Sequence, residues 1–303
     1  MNVFCRLAKT IFVMGLTLGA LVACGGGGGG GGNGSSGYTG VQTQAVINDD
    51  NAQQLALDAY NGGAMADPMT DQVFTMAAGS GNDQPLAPLG RILFDSLPEL
   101  DFTPTVAPMA TEVINGTCGG TATVSASEGE TSASGSIVYN DYCEDGMVLN
   151  GSVSFAGKLN QQTNVVSMTM TFGTLTTEEG SLSGSITMIF TLYDENAVMT
   201  MSMNMVLTDA LDRTYWVDHY TLVVTPGTTY DTAQFTGTYH DFEAGHMVIT
   251  TTDSLLIDSV TGIPESGTLH FAGAEGTWAD LTATGSGGYT LTVSTGTVIT
   301  GTF

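Results

Sequence analysis

The stretch VMTMSMNMVL, Val198 to Leu207, decides the fold. Met199, Met201, Met203, Met205 and Leu207 alternate with Thr200, Ser202, Asn204 and Val206. A period of two sends one set to one face of a strand and the other set to the opposite face. One face is apolar and the other largely hydroxylic, which suits an antiparallel sheet covered on a single side. The same period runs through Val166, Met168, Met170 and Phe172, and through Leu182, Ile186, Met188, Phe190 and Leu192. Met147, Leu149, Val153, Phe155 and Leu159 precede them, and weaker alternation follows through 215–224, 235–239, 247–257, 269–271 and 289–293. Glu179-Gly180, Asp194-Glu195-Asn196, Pro226-Gly227, Ala244-Gly245 and Ser286-Gly287-Gly288 punctuate the runs as turns. These templates predict about ten to twelve strands, too many for an open sheet to stay flat. Runs joined by short turns pair as neighbours. The expected fold is mainly β (α+β): a curled antiparallel β meander, half-barrel or open barrel, with a few N-terminal helices packed on it.

Upstream the period lengthens. Asn48-Asp49-Asp50 offers caps, and Ala52, Leu55, Ala56, Ala59 and Tyr60 recur at helical spacing before Gly62-Gly63. Further helices are predicted after Asp67-Pro68, through Met76, and over Pro88 to Leu97. Pro98, Pro104 and Pro108 read as a linker. At the very start, Arg6 and Lys9 precede an apolar run from Ile11 to Leu21 that is too short to cross a bilayer, the layout of a secretory signal.

Leu21-Val22-Ala23-Cys24 resembles the lipobox of bacterial lipoproteins. That resemblance implies cleavage before Cys24 and lipidation of its sulfur, placing the protein on the outer membrane, held by its lipid anchor. Gly25 to Gly40, glycine with Asn, Ser, Tyr and Thr interspersed, then reads as a flexible tether reaching about 20–24 Å. The expected division is 1–23 signal peptide, 24–40 lipidated Cys and tether, 41–103 helical segment and 104–303 antiparallel β domain.

The 303 residues carry 30 acidic against 5 basic side chains, a net charge of −25. Losing the signal leaves Arg91, Lys158 and Arg213 as the basic residues. Such a surface repels phosphate backbones and anionic headgroups, which excludes nucleic acid as a partner and makes membrane attachment a matter of lipid. Of the four cysteines, Cys118 and Cys143 survive processing and lipidation. In an oxidising compartment an even pair is expected to form a disulfide, the alternative being a metal site with more soft ligands nearby. The segment TCGGTATVS, YNDYC, MVLNGSVSF is similar to a recurrent stretch in uncharacterised proteobacterial lipoproteins. It supports the placement and the disulfide and implies no chemistry.

Catalytic signals are weak. GSLSG, Gly180 to Gly184, lacks the central serine of a nucleophile elbow, so Ser181 and Ser183 read as hairpin-turn serines. YHDFEAGH places His240, Asp241, Glu243 and His246 around one turn, a weak metal candidate that matches no established ligand spacing and reads better as a polar hairpin tip. Asp141-Tyr142-Cys143-Glu144-Asp145-Gly146 lacks the alternating ligands of a calcium loop. His219 and His270 read as lone strand histidines. Methionine adapts to varied apolar partners. The stripe of Met168, Met170, Phe172, Met188, Phe190, Met199, Met201, Met203 and Met205 is therefore expected to line a cleft open to acyl chains or an apolar peptide. The functional expectation is a non-enzymatic module that binds an apolar ligand or an envelope protein, with no cofactor. The alternatives are a structural or adhesive surface module and, less favoured, a hydrolase on a β scaffold.

Overall fold

The computed structural model describes residues 37–64, 110–129, 131–144, 146–178, 180–193 and 196–303. The strands are β1 (Ala110–Asn115), β2 (Gly119–Gly129), β3 (Ser132–Glu144), β4 (Met147–Asn160), β5 (Val165–Thr177), β6 (Gly180–Tyr193) and β7 (Asn196–Asp209). They continue as β8 (Thr214–Thr225), β9 (Tyr230–Asp241), β10 (Gly245–Asp258), β11 (Pro264–Ala272), β12 (Trp278–Gly285), β13 (Gly288–Val293) and β14 (Val298–Thr302). All fourteen form one antiparallel sheet in chain order, and the sheet does not close. The count exceeds the expected ten to twelve because short or small-residue strands such as β12 (WADLTATG) and β14 (VITGT) carry little apolar alternation.

Strand registers carry the period of two across the sheet. On the inner face Met168 pairs with Met188, Met188 with Met201 and Met201 with Leu222. On the outer face Ser125, Ser136, Ser154, Thr171, Ser185 and Asn204 stand opposite one another from β2 to β7. The inner set joins one apolar core running from Val124 on β2 to Val293 on β13.

Bending this sheet requires breaks in the pleat, and four similar tripeptides supply them. Gly-Ser-Val at 151–153, Gly-Ser-Ile at 184–186, Gly-Thr-Tyr at 237–239 and Gly-Thr-Leu at 267–269 each begin with a glycine at positive φ, between 113° and 155°. At Gly184 a Cβ would lie 2.2 Å from the Asn204 carbonyl oxygen, and at Gly237 it would lie 2.8 Å from the Tyr220 Cα. The neighbouring backbone occupies the place of the missing side chain. Register shifts at Phe172/Leu175, Met203/Met205 and Asp218/Thr221 lie beside these glycines. Bulges and glycine kinks together are how a large sheet acquires curvature.

The single described helix, α1 (Ala52–Ala64), packs on the inner face against β8, β9 and β12. Ala52, Leu55, Ala56, Ala59 and Tyr60 are its buried apolar side chains, the set its spacing predicts. Asn48 caps the entrance, its Oδ1 accepting the amides of Asp50 at 2.9 Å and Asn51 at 3.2 Å. Tyr220 donates its hydroxyl to the Ala59 carbonyl at 2.9 Å, and the Tyr60 ring lies 5.1 Å from that of Phe303. The helices expected at 67–76 and 88–97, the signal and Cys24 lie outside the described residues. Among the described residues no helix is long and apolar enough to cross a membrane.

Cys118 and Cys143 are joined in a disulfide, with Cα atoms 5.1 Å apart, where β2 begins beside the end of β3.

Candidate functional site

The folded body begins earlier than residue 41. Gly37 to Ile47 form a strap that starts on the outer face, turns over the β9–β10 tip and leads into α1 on the inner face. Gly37 faces the Val206 side chain, and the Thr39 amide donates to Thr214 Oγ1 at 2.9 Å. The Tyr38 hydroxyl lies between the carbonyls of Asp241 at 2.7 Å and Val41 at 2.9 Å. Tyr38 is only 7% exposed, so Gly37–Gly40 are docked rather than part of a free tether. Beyond them the Val41 amide donates to Phe242, the His246 amide to Thr43, and the Ala45 amide back to His246. The Ile47 amide reaches Thr277 Oγ1 at 3.0 Å, which ties the strap to the β11–β12 connection.

Beneath the strap lies a cluster that register assembles from three strands. Trp216 pairs with His240 across β8–β9, and His240 with His246 across β9–β10. The His240 imidazole stacks on Trp216 with centroids 4.3 Å apart, meets Tyr38 edge-on at 5.3 Å and lies 5.1 Å from His246. Trp216 Nε1 donates to Asn204 Oδ1 at 2.8 Å, which fixes the indole. His246 Nδ1 is 3.2 Å from the Gln42 carbonyl. Asp218 adds a carboxylate, its Oδ2 3.8 Å from His240 Nε2 and its Oδ1 in contact with His219 Nδ1. Burial, reinforced by the neighbouring His246 and opposed by Asp218, pushes the His240 pKa down to about 4.

The four residues of the YHDFEAGH turn therefore separate. His240 and His246 come together, whereas Asp241 Oδ1 is occupied by the amides of Glu243 at 2.9 Å and Ala244 at 2.7 Å, and Glu243 is exposed. Among the described residues no three His, Cys, Asp or Glu side chains already stand as a metal-binding group. Asp218, Trp216 and Tyr38 were not anticipated as part of this cluster. The sequence signal was WVDHY, where a second histidine adjoins a carboxylate, but only the β8 bulge shows which side chains meet.

The other anticipated positions resolve as follows. Ser181 and Ser183 lie within β6 rather than in a turn, because the β5–β6 turn ends before Gly180 and both serines pair in the ladder with β7. Asp141 and Asn150 bond one another, the Asp141 amide to Asn150 Oδ1 at 2.8 Å and Asn150 Nδ2 to Asp141 Oδ1 at 3.0 Å. His270 is not isolated: its Nδ1 lies 2.6 Å from Asp280 Oδ1. Among the described residues no serine hydroxyl bonds to His240 or His270. The hollow of about 610 Å³ at the β4–β5 turn is bordered by Lys158, Gln161 and Ser167, and none of its lining residues is buried.

In place of the open cleft expected along the methionine stripe, the structure buries it. Met170, Met188, Met199, Met201, Met203 and Met205 are 0–3% exposed, Phe172 and Phe190 are buried, and Met168 is partly buried against the same core. The alternating pattern was read correctly for its face. Whether that face is open or covered depends on what packs over it, which strand periodicity does not encode.

On the inner side of the rim Asp58 of α1 is held unusual by its surroundings. Burial first, then the charge of Asp241, push its pKa up from 3.8 to about 6, against a hydrogen bond with Gln54 that lowers it. A folded-state pKa raised above the unfolded value means that the native state binds the extra proton more tightly. Its stabilising effect is full below the unfolded value and disappears as pH rises through about 6. Asp58→Asn should therefore stabilise the protein at pH 8 by about 2–3 kcal/mol, the gain shrinking towards zero below pH ~4. Urea unfolding of both proteins at the two pH values checks it, and a pH-independent difference would show that Asp58 is not destabilised by ionisation.

Compared with known protein families, curated proteins and solved structures, the chain matches none.

Proposed function

We propose that this chain is a lipid-anchored, non-enzymatic module of the bacterial outer membrane. Its sheet serves as a filled scaffold, and its hydroxyl-bearing outer face meets an envelope partner. The observation that supports this reading most is the burial of the methionine face at 0–3% exposure, which leaves the Ser/Thr rows of the outer face as the accessible surface. Threonine and serine stand in register there, with Thr169 and Thr187 hydroxyls 3.2 Å apart. The strap supports the anchor half of the proposal, because Gly37, which packs on Val206, stands thirteen residues after Cys24, beyond the glycine run Gly25–Gly32 and Asn33-Gly34-Ser35-Ser36. Lipid at Cys24 would hold the domain by the rim that carries Tyr38 and Trp216.

Replacing Cys24 with Ala should abolish labelling by radioactive palmitate and move the protein from the membrane fraction to the soluble fraction, or leave the precursor uncut. A wild-type protein that never takes up palmitate would sink the anchor.

A second reading, an apolar-ligand binder, is favoured by one observation: the sheet is unclosed, and its inner face carries adaptable thioether side chains. Native mass spectrometry and apolar-dye titration of the protein separate the readings. Co-purifying lipid or saturable dye binding favours the ligand, and neither favours the scaffold.

A further inference from the structure

We propose that Asp218, His219 and His240 form a binding site for a borderline divalent cation such as Zn²⁺ or Cu²⁺ on the outer rim of β8 and β9. The carrying observation is His240. Its side chain is 9% exposed, yet neither Nδ1 nor Nε2 has a hydrogen-bond partner. A buried imidazole with two unanswered nitrogens is costly, and native structures normally satisfy such groups with protein, water or an ion. The Asp218 carboxylate oxygen nearest Nε2 stands 3.8 Å away, too far for a hydrogen bond. Two ligands each about 2.0–2.1 Å from a tetrahedral zinc are roughly 3.3–3.4 Å apart, so a shift of a few tenths of an ångström lets one ion bridge them.

His219 supplies the third ligand. It sits in the bulge of β8 at φ 51°, a left-handed conformation that a non-glycine residue rarely adopts, beside the other Asp218 oxygen. Its side chain is 83% exposed, so it can swing to the ion without disturbing the core. This need for a swing is why no three ligands stand ready-made. Two imidazoles and a carboxylate suit zinc or copper better than calcium or magnesium, which prefer oxygen alone. The acidic surface, with a net charge of −25, concentrates cations around the molecule. Trp216 and Tyr38 wall the site against water on the other sides of the His240 ring.

The site reports on itself through Trp216, stacked on His240. The test uses the full chain without a histidine tag, stripped by chelator, in a Trp278→Phe background that leaves Trp216 as the remaining indole. Titration with CuCl₂ should quench the Trp216 emission, and calorimetry with ZnCl₂ should saturate at one ion per chain. Removing one ligand should weaken binding by at least about 10–100-fold, the loss that follows when even an outer-shell partner of a metal site is removed. His219→Ala, which removes a side chain 83% exposed, should show that loss, as should Asp218→Asn and His240→Gln. His246→Ala should bind as wild type, because the Asp218 carboxylate meets His219 and His240, whereas His246 meets the His240 ring and the strap carbonyl of Gln42. Binding that does not saturate at one ion, or that disappears in high salt, would be diffuse attraction by surface carboxylates and would overturn the proposal. Unchanged binding in His219→Ala, or loss in His246→Ala alone, would overturn the ligand set.

Discussion

Met201→Ala should lose about 3 kcal/mol of stability, within the 2–5 kcal/mol range for deleting a buried Met. Met201 is fully buried at the centre of the inner face, paired with Met188 on one side and Leu222 on the other. The deleted atoms lose their burial, and the curved sheet around them cannot collapse into the gap without breaking its ladders. For a domain of this size the melting temperature should fall by roughly 6–12 °C. Met201→Leu conserves volume and should cost less than about 1.5 kcal/mol. Thermal and urea unfolding of the three proteins measure both effects. If Met201→Ala leaves stability unchanged while altering dye binding, the face is a ligand cleft, and the scaffold reading falls.

Removing the Cys118–Cys143 crosslink should be at least as damaging. A loop of this length, with its cysteines 25 residues apart, contributes about 3.5 kcal/mol in the chain-entropy picture. The contribution is local in structure. Cys143 pairs with Gly119 in the β2–β3 ladder, and the Cys118 amide donates to the Cys143 carbonyl at 3.2 Å. Those bonds already hold the hairpin end in the native state, so the disulfide acts mainly by restricting the unfolded chain. The Cys118→Ser, Cys143→Ser double variant should therefore show a lower urea midpoint, with the same circular dichroism spectrum before unfolding. Non-reducing peptide mapping of envelope-purified protein should find the two cysteines in one linked fragment. Free thiols at both positions there would refute the crosslink.

Periodicity made the sheet legible. Each of β4 to β7 was visible as an alternating run, and α1 as five apolar residues at helical spacing, because these patterns are properties of a single element. The Gly-Ser and Gly-Thr tripeptides at 151–153, 184–186, 237–239 and 267–269 can be seen in the sequence too, without their meaning. Their glycines mark places where a neighbouring backbone approaches too closely for a side chain, which depends on two strands rather than one. The candidate site was half legible for the same reason. His240 and His246 share one hairpin and could be linked by their spacing, whereas Asp218 and Trp216 arrive from β8 across a register shift.

The amino-acid sequence by itself determined the strongly alternating strands such as β4 to β7, which face of each is apolar, and where α1 runs. Those are short-range matters of period, turn chemistry and composition. The tertiary structure alone decided that the methionine face is covered, that Gly37–Ile47 hooks over the rim, and that His240 lies buried with unanswered nitrogens beside Asp218. Each of these arises between segments far apart in the chain, Tyr38 and Asp241 being 203 residues apart. Their meeting is set by sheet curvature and bulge register, so no local pattern records it.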